Sequence, residues 1–242
     1  MGKPVRRVID PLLAMAGYRL ARLQPKQFPV EFDERDKAIV SYVARNELTM
    51  VSEERLFATV MACRHVCQSR LPGDFVECGV WRGGNALIAA DVFSRLSPER
   101  KVYLFDTFAG MTPPTASDVS RTGMAGEEGW CNASLDEVRA SFAARGLAAN
   151  AVFVAGDVGE TLRDPRNLPA RIGVLRLDTD WYESTKLELE VLYPLLQPGG
   201  VLMVDDYGFW QGARKAVDEY FSAHDRPYFH YVDHTGRAAI KR

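Results

Sequence analysis

Five short runs of apolar residues alternate with longer segments of mixed polarity along the chain. Each run is almost uniformly apolar, which is typical of strands that are buried on both faces of a parallel sheet. The segments between them have the length and pattern of helices, so the sequence predicts an α/β fold with a doubly wound, mostly parallel sheet. The predicted strands are 74–80, 101–108, 151–158, 172–178 and 201–206.

Helices and turns are indicated around these strands. Ser134 and Glu137 form a capping box that begins a helix ending near Gly146. Residues 109–133 are rich in Gly, Pro, Ser and Thr and are long for a connection, so we interpret them as a lid over the site. The other predicted elements are a mixed helical region at about 36–70, helices at 85–96 and 211–221, and a hairpin of strands 228–232 and 237–241.

Composition indicates a globular protein and excludes several classes. Of the 242 residues, 47% are hydrophobic and 26% are charged, which excludes a disordered chain or a coiled coil. Thirty basic residues against 32 acidic ones give a net charge of −2, so no nucleic-acid partner is expected. No apolar run approaches the ~20 residues that cross a bilayer, and the N-terminus does not have the pattern of a signal peptide.

The cysteines are too few for a disulfide framework and form no CxxC pair. We therefore expect reduced thiols and a cytoplasmic protein. Cys63 and Cys67 flank His65 at a spacing of four, which suits either the edge of a metal site or two small apolar residues on one helix face; the second interpretation is preferred.

The first 26 residues combine six basic side chains and one acidic side chain with an apolar stripe of leucines and a methionine. Such a stripe can pack on a neighbouring subunit or rest on an anionic membrane surface. We favour packing, and with it a homo-oligomer. The predicted organisation is a helical arm at 1–40 followed by a single domain at 41–242.

Ligands of doubly wound sheets bind beyond the carboxyl ends of the strands. Strand one ends at Glu77 and Gly79, followed by a glycine turn and a helix beginning at Asn85, which allows a ligand to approach the backbone and a helix N-terminus. Strand two ends at Asp106, 29 residues after Glu77, as expected of an acid that binds ribose hydroxyls. Strand three ends at Gly156 and Asp157, which suit an adenine. The alternatives are glycine packing and helix-capping acids, but three such ends together indicate an adenosine cofactor.

Four aspartates follow the last two parallel strands: Asp178, Asp180, Asp205 and Asp206. Anions packed this closely repel one another, and an all-oxygen set of ligands favours Mg²⁺ or a similar hard cation. The alternative is that some of them cap helices or pair with Arg176 or Arg214.

Four long motifs between about residues 40 and 225 resemble those of the TylF/MycF-type O-methyltransferases. These are S-adenosylmethionine-dependent enzymes that methylate sugar hydroxyls, many of them on macrolide or aminocoumarin antibiotics. The resemblance implies the class I methyltransferase fold, with strand order 3-2-1-4-5-7-6 and strand 7 antiparallel. The motifs are FVECGVWRGG, YLFDTFAGM, RLDTDWYESTK and PGGVLMVDDYGFWQGARKAVDEYF.

The same resemblance implies roles for individual residues. Glu77 and Gly79 match the turn on the methionine side of S-adenosylmethionine, Asp106 matches the ribose-binding acid, and Gly156 with Asp157 matches the adenine side. The stretch 49–52, which includes Met50, resembles the segment that closes over the cofactor. Asn85, at the start of the helix after the glycine turn, is also expected to bind the cofactor. The implied Mg²⁺ ligands are Asp178, Asp205 and Asp206, and Asp180 matches the general base of some members, whereas others rely on a histidine.

The predicted function is therefore metal-assisted methyl transfer from S-adenosylmethionine to a small-molecule or oligosaccharide sugar acceptor. Two alternatives are a catechol-type, Mg²⁺-dependent O-methyltransferase and a noncatalytic protein that binds an adenosine cofactor. The aromatic residues Trp181, Tyr182, Phe209 and Trp210 flank the acids and suit either a sugar ring or core packing. His230 and His234 on the terminal hairpin are further candidates to reach the acceptor.

Overall fold

A seven-stranded sheet is the centre of the computed structural model, which describes residues 27–242. In chain order the strands are β1 (Asp74–Cys78), β2 (Val102–Asp106), β3 (Ala151–Ala155), β4 (Ile172–Leu177), β5 (Leu196–Val204), β6 (His230–Tyr231) and β7 (Arg237–Ile240). Their order in the sheet is β3-β2-β1-β4-β5-β7-β6. β1 to β5 pair in parallel with one another, and β7 is antiparallel to both β5 and β6, which confirms the predicted topology.

Seven α-helices accompany the strands in this part of the chain. They are α1 (Glu34–Arg45), α2 (Glu53–Gln68), α3 (Gly84–Leu96), α4 (Leu135–Ala144), α5 (Val158–Thr161), α6 (Tyr182–Leu192) and α7 (Gln211–Tyr220). The predicted capping box is present, because Ser134 Oγ accepts the Glu137 N–H at 3.3 Å and Glu137 accepts the Ser134 N–H at 2.8 Å. Asp33 and Asp36 form a second box at the start of α1.

Alternate side chains of the strands enter two different layers. Val76 and Cys78 of β1 belong to a core that also contains Leu189 of α6 and Val217 of α7. Glu77 points to the opposite face, where it lies beside Arg176, its partner in the β1–β4 register. The period-2 alternation therefore places two buried charged residues on one face of otherwise apolar strands.

The strands end earlier than the sequence pattern predicts. β1 ends at Cys78, β2 at Asp106, β3 at Ala155 and β4 at Leu177, each one to three residues before its predicted end. β5 differs at its other end and begins at Leu196 rather than at residue 201. The first strand of the predicted hairpin, 228–232, is reduced to His230–Tyr231, and the second, 237–241, is present as Arg237–Ile240.

The N-terminal arm and its apolar stripe lie mainly outside the described residues, and their role stays a prediction. One compact unit comprises Asp33–Arg242. Within residues 27–242, no helix has the length and apolar character needed to span a membrane.

Candidate active site

A cavity of about 350 Å³ opens at the carboxyl ends of β1 to β5. Loops that follow these parallel strands form its floor, and the segment before α2 and the turn between β6 and β7 contribute to its wall. The structure thus brings all of the predicted site residues to one cavity. They are Met50, Glu77, Gly79, Asn85, Asp106, Gly156, Asp157, Asp178, Asp180, Asp205 and Asp206.

The glycine turn after β1 keeps its backbone close to neighbouring chain segments. Gly79 has φ +80°, and a Cβ there would collide with the carbonyl of Asp178 at the end of β4. Gly83 precedes α3 with φ +84°. The Gly84 N–H donates to the Leu48 carbonyl at 3.0 Å, which ties the turn to the segment before α2. Only glycine accommodates both the approach and the dihedral angle at Gly79 without strain.

Asp106 organises this turn from the end of β2. Its Oδ2 accepts the N–H groups of Val80 and Trp81 at 2.6 and 2.9 Å, and its Oδ1 accepts the Phe108 N–H at 2.7 Å. Thr107 Oγ1 also lies 3.4 Å from Oδ1, but its single proton is better placed for the Gly110 carbonyl at 2.6 Å. A carboxylate has about four acceptor positions, so Asp106 retains one for a hydroxyl of a ligand. Asp157 caps α5 by accepting the Gly159 N–H at 2.5 Å, and it also lines the cavity.

The aspartates after β4 and β5 form a compact acidic cluster. Asp178, Asp205 and Asp206 each offer one carboxylate oxygen within 4.8 Å of the others. Arg176 lies against this cluster: its Nη1 is 2.6 Å from Glu77 Oε1 and 2.7 Å from Asp178 Oδ2, and its Nη2 pairs with Asp205. Two of the four aspartates, Asp178 and Asp205, therefore pair with Arg176, which the sequence left as an alternative to metal binding.

Arg55 of α2 is a second guanidinium at the cluster. It pairs with Asp205, lies 3.7 Å from Asp206 and donates from Nε to Asp233 Oδ2 at 2.7 Å. Asp233 also accepts the Ser52 hydroxyl proton at 2.6 Å, which joins the start of α2 to the turn between β6 and β7. Hydrogen bonds and the guanidinium lower the pKa of Asp233.

Negative charge exceeds positive charge in this region. Burial raises the pKa of both Asp178 and Asp180 well above the usual range, and the neighbouring carboxylates raise each further. Asp206 shifts in the same direction for the same reasons. Burial also raises the pKa of Glu77 to about 7, in spite of Arg176. The two arginines face six acidic side chains: Glu77, Asp178, Asp180, Asp205, Asp206 and Asp233.

Two buried oxygen atoms of the site lack a hydrogen-bond partner among the described residues: Asp180 Oδ1 and Glu77 Oε2. Buried polar atoms are rarely left in this state unless a ligand or ion completes them. The excess negative charge, the convergent carboxylates and the hard oxygen donors fit a divalent cation such as Mg²⁺.

Aromatic side chains form the wall next to the acids. Trp181 and Trp210 pack edge to face with ring centroids 5.0 Å apart, and Phe209 contacts Trp210 in the same way. Phe209 and Trp210 line the cavity together with Met111. Trp181 is instead buried and belongs to the packing of this wall. Tyr182 lies outside the cavity, where its hydroxyl donates to Glu219 at 2.6 Å and its ring contacts Lys186 and Lys215.

The predicted lid is docked on the starts of α6 and α7. Asp118 Oδ1 accepts the Tyr182 N–H at 2.7 Å, and Trp181 Nε1 donates to the Thr112 carbonyl at 2.8 Å. The Arg121 N–H donates to the Phe209 carbonyl at 2.8 Å. Thr112 and Cys131 of this segment reach the cavity.

Some cavity residues carry no clear signal in the sequence. Arg55 and Thr235 come from α2 and the terminal hairpin, far along the chain from the acids they contact. Arg55 is the one charged residue among the buried positions of α2, and this is the one feature of the sequence that could have indicated a role for it at the site. His234 lines the cavity, as the hairpin interpretation allowed, whereas His230 does not. His65 contacts the Gly199 carbonyl at 2.9 Å, and the cysteines are free, as expected.

Comparison with known proteins agrees with this geometry. The family model described as macrocin-O-methyltransferase (TylF) matches residues 8–237. A relative from Streptomyces olivaceus, 8-demethyl-8-(2,3-dimethoxy-alpha-L-rhamnosyl)-tetracenomycin-C 4'-O-methyltransferase, is 38% identical over 178 residues, covering 71% of this chain and 67% of its own. Mycinamicin III 3''-O-methyltransferase from Micromonospora griseorubida is 32% identical over 183 residues, covering 73% and 71%.

A solved structure shares the fold and much of the length. The O-methyltransferase NovP superimposes with a TM-score of 0.72 at 30% identity, covering 80% of this chain and 81% of its own. The family match spans more of the chain than the sequence motifs do, since it includes α1 and β6 and ends at the first residue of β7. The chain belongs to the macrocin-O-methyltransferase (TylF) family.

Proposed function

We propose that this protein transfers a methyl group from S-adenosylmethionine to a sugar hydroxyl, with a divalent cation and with Asp180 as the general base. The observation that carries the proposal is that one cavity brings together the strand ends suited to the cofactor, a partly buried cluster of aspartates and an aromatic wall. Two relatives that are more than 30% identical are named for methylating a hydroxyl of a glycosylated natural product. The acceptor class that follows is a deoxysugar of a small-molecule glycoside, or a saccharide precursor.

The cofactor half of the cavity has a group for each part of S-adenosylmethionine. Glu77 Oε2, which lacks a partner among the described residues, suits the ammonium of the methionine moiety, and Gly79 leaves room for the backbone approach. Asp106 suits the ribose hydroxyls, and Gly156 with Asp157 suits the adenine. Met50 and Asn85 complete the wall on the side of α2 and α3. The cofactor's sulfonium supplies the methyl group.

Asp178, Asp205 and Asp206 would hold the cation. Arg176 and Arg55 fix the orientation of Asp178 and Asp205 by pairing with them, while each carboxylate oxygen keeps a further lone pair for a ligand. When bound, the cation supplies Lewis-acid charge that favours loss of the proton from a sugar hydroxyl.

The protein's own contribution is to position the acceptor and accept its proton. Phe209 and Trp210 present aromatic faces to the apolar side of a sugar ring. Holding the acceptor oxygen in line with the methyl group contributes on the order of 7 to 11 kcal/mol. Asp180 takes the proton, and its burial among like charges makes it a stronger base than an exposed aspartate. The docked lid limits the access of water.

The reaction class is tested by S-adenosylhomocysteine release over a panel of free sugars, glycosides and catechols, with Mg²⁺ and with a chelator. We expect turnover on a vicinal-diol sugar that is lost with the chelator. Turnover confined to catechols would instead establish the catechol-type alternative. Absence of both turnover and cofactor binding would overturn the proposed function, whereas cofactor binding without turnover would indicate either a larger glycosylated acceptor or the noncatalytic alternative.

The metal assignment is tested by Asp178→Asn. This change removes one charged ligand and keeps the shape of the side chain, so we expect loss of metal-dependent turnover with little change in cofactor affinity. Calorimetric titration of the cofactor and of Mg²⁺ into the variant provides the matching measurement. Unchanged turnover at saturating acceptor would rule out a cation held by Asp178.

A further inference from the structure

The segment that presents Asp180 is a strained turn. The Trp181 N–H donates to the Thr179 carbonyl at 2.8 Å, and Asp180, between them, has φ +69°. A three-residue turn with positive φ at its centre is the rare and strained form of the γ-turn. For a residue other than glycine such a conformation costs on the order of 1–3 kcal/mol, and it persists only where surrounding groups hold it.

The side chain of Thr179 is the connection between this turn and the rest of the protein. Thr179 Oγ1 lies 2.8 Å from Glu188 Oε1 and 2.8 Å from Ser184 Oγ. Ser184 Oγ in turn lies 3.1 Å from the Trp181 carbonyl, on the other side of Asp180. Both residues that flank Asp180 are therefore linked to α6 by side-chain hydrogen bonds.

Glu188 is the buried end of this chain of hydrogen bonds. Its side chain is 0% exposed, on a helix whose neighbouring residue Leu189 belongs to the apolar core. Its second oxygen, Oε2, has no hydrogen-bond partner within residues 27–242. Burial, with the charge of Asp157 nearby, raises the pKa of Glu188 to about 8, so it carries a proton at neutral pH. A buried and half-satisfied acid is costly where an apolar residue would pack, which points to a role outside core packing.

We propose that Glu188 is a positioning residue, which holds Thr179 and thereby keeps the strained turn in the conformation that presents Asp180 to the acceptor. The inference rests on the proposed function, because it assigns a consequence for methyl transfer to a residue that does not line the cavity. It predicts that the Thr179–Glu188 hydrogen bond affects the chemical step and leaves cofactor binding unchanged.

The test compares variants that remove this hydrogen bond with variants that keep it. Thr179→Val has nearly the shape of threonine without the hydroxyl, and Glu188→Leu removes the acceptor. Each is expected to lower kcat by about 10- to 100-fold, as a small displacement of a catalytic group does, while the KM for the acceptor and the Kd for the cofactor stay close to wild type. Thr179→Ser and Glu188→Gln retain the hydroxyl and the oxygen, and should recover most of the lost kcat.

A double variant separates positioning from general destabilisation. If both residues act through one hydrogen bond, Thr179→Val combined with Glu188→Leu should be no slower than the slower single variant. Glu190→Gln, exposed on the same helix, is the matched control, and it should keep wild-type kcat. All rates are measured below the melting temperature of each variant.

The outcomes distinguish this inference from the proposed function. An active wild type with an equally active Thr179→Val would overturn the positioning role alone. Additive losses in the double variant, or losses in cofactor affinity equal to those in kcat, would overturn it as well. A wild type that transfers no methyl group to any acceptor would overturn the proposed function, and this inference with it.

Discussion

Asp180 combines two costly features in a single residue. Its backbone has φ +69°, and its carboxyl is buried beside Asp178 and Asp206, with Oδ1 unpartnered among the residues described. Both features oppose folding, and neither improves the packing of the core. Strain and buried like charges of this kind are concentrated at functional sites, which supports Asp180 as the base.

Asp180→Asn is expected to lower kcat by about 10²- to 10⁴-fold, the range typical of a lost general base. Cofactor affinity should stay at the wild-type value, because the cofactor half of the cavity is untouched. The melting temperature should remain the same or rise, because asparagine tolerates positive φ and removes one repelling charge. Steady-state kinetics and calorimetry measure these quantities. Retained turnover would direct attention to His234, which also lines the cavity.

The individual site residues differ in how well the sequence predicts them. Asp106, Asp178 and Asp205 follow apolar strands, and parallel strands place their carboxyl ends at one edge, so their convergence follows from pattern alone. Arg55 and Asp233 come from a helix and a hairpin turn at opposite ends of the domain. Their meeting depends on how α2 and β7 pack, which no local pattern encodes.

The lid is joined to two helices through one buried side chain. Asp118 accepts the Thr115 N–H and hydroxyl proton at 2.7 Å each, and the Tyr182 N–H at the start of α6 at 2.7 Å. A Cβ on Gly212 of α7 would collide with the same carboxylate. Asp118 therefore fixes the spacing among the lid, α6 and α7, and with it the position of the aromatic wall.

Asp118→Ala is expected to loosen the lid while leaving the sheet intact. The Tyr182 N–H would lose its acceptor, at a cost of about 1–3 kcal/mol for a buried donor. Arg121 is exposed in the lid, so trypsin should cut there faster in the variant, and cofactor with acceptor should slow the cut. Glu128→Ala changes an exposed acid of the same segment and is the control. Equal cleavage of both variants would contradict the anchoring role.

The sequence predicts the elements better than their boundaries. The order of the strands and the capping box at Ser134 are confirmed, because hydrophobic period and capping chemistry are local properties. The predicted start of β5 at residue 201 is wrong, because Pro198, Gly199 and Gly200 have the sequence pattern of a turn. In the structure these residues pair with the C-terminal end: the Gly199 N–H donates to the Lys241 carbonyl at 2.8 Å, and the Lys241 N–H donates to the Gly200 carbonyl at 2.9 Å. Pairing with the C-terminal segment, about forty residues further along the chain, therefore keeps these residues extended although their local sequence favours a turn.

The stability of the whole molecule depends on pH through its buried acids. Glu188 titrates with a pKa of about 8 in the folded protein, because it is enclosed and faces the charge of Asp157, whereas its ordinary value is 4.5. Between these values the native state keeps a proton that the unfolded chain has lost. The free energy of unfolding therefore falls as pH rises through this window, by at most about 1.4 kcal/mol per pH unit, and the fall ends above the folded pKa.

Glu188→Gln removes this proton equilibrium and keeps the hydrogen bond to Thr179. Urea unfolding between about pH 5 and pH 8 should show the variant gaining stability relative to wild type as pH rises. Only the wild type keeps a proton in the folded state that its unfolded chain releases, and this difference lowers its free energy of unfolding as pH rises. The acidic cluster around Asp178 titrates in both proteins, so its contribution cancels in the difference. Glu190→Gln, on the exposed side of α6, should follow the wild-type slope. A constant offset between Glu188→Gln and wild type at every pH would mean that Glu188 ionises alike in the folded and unfolded chains, and that burial does not hold its proton.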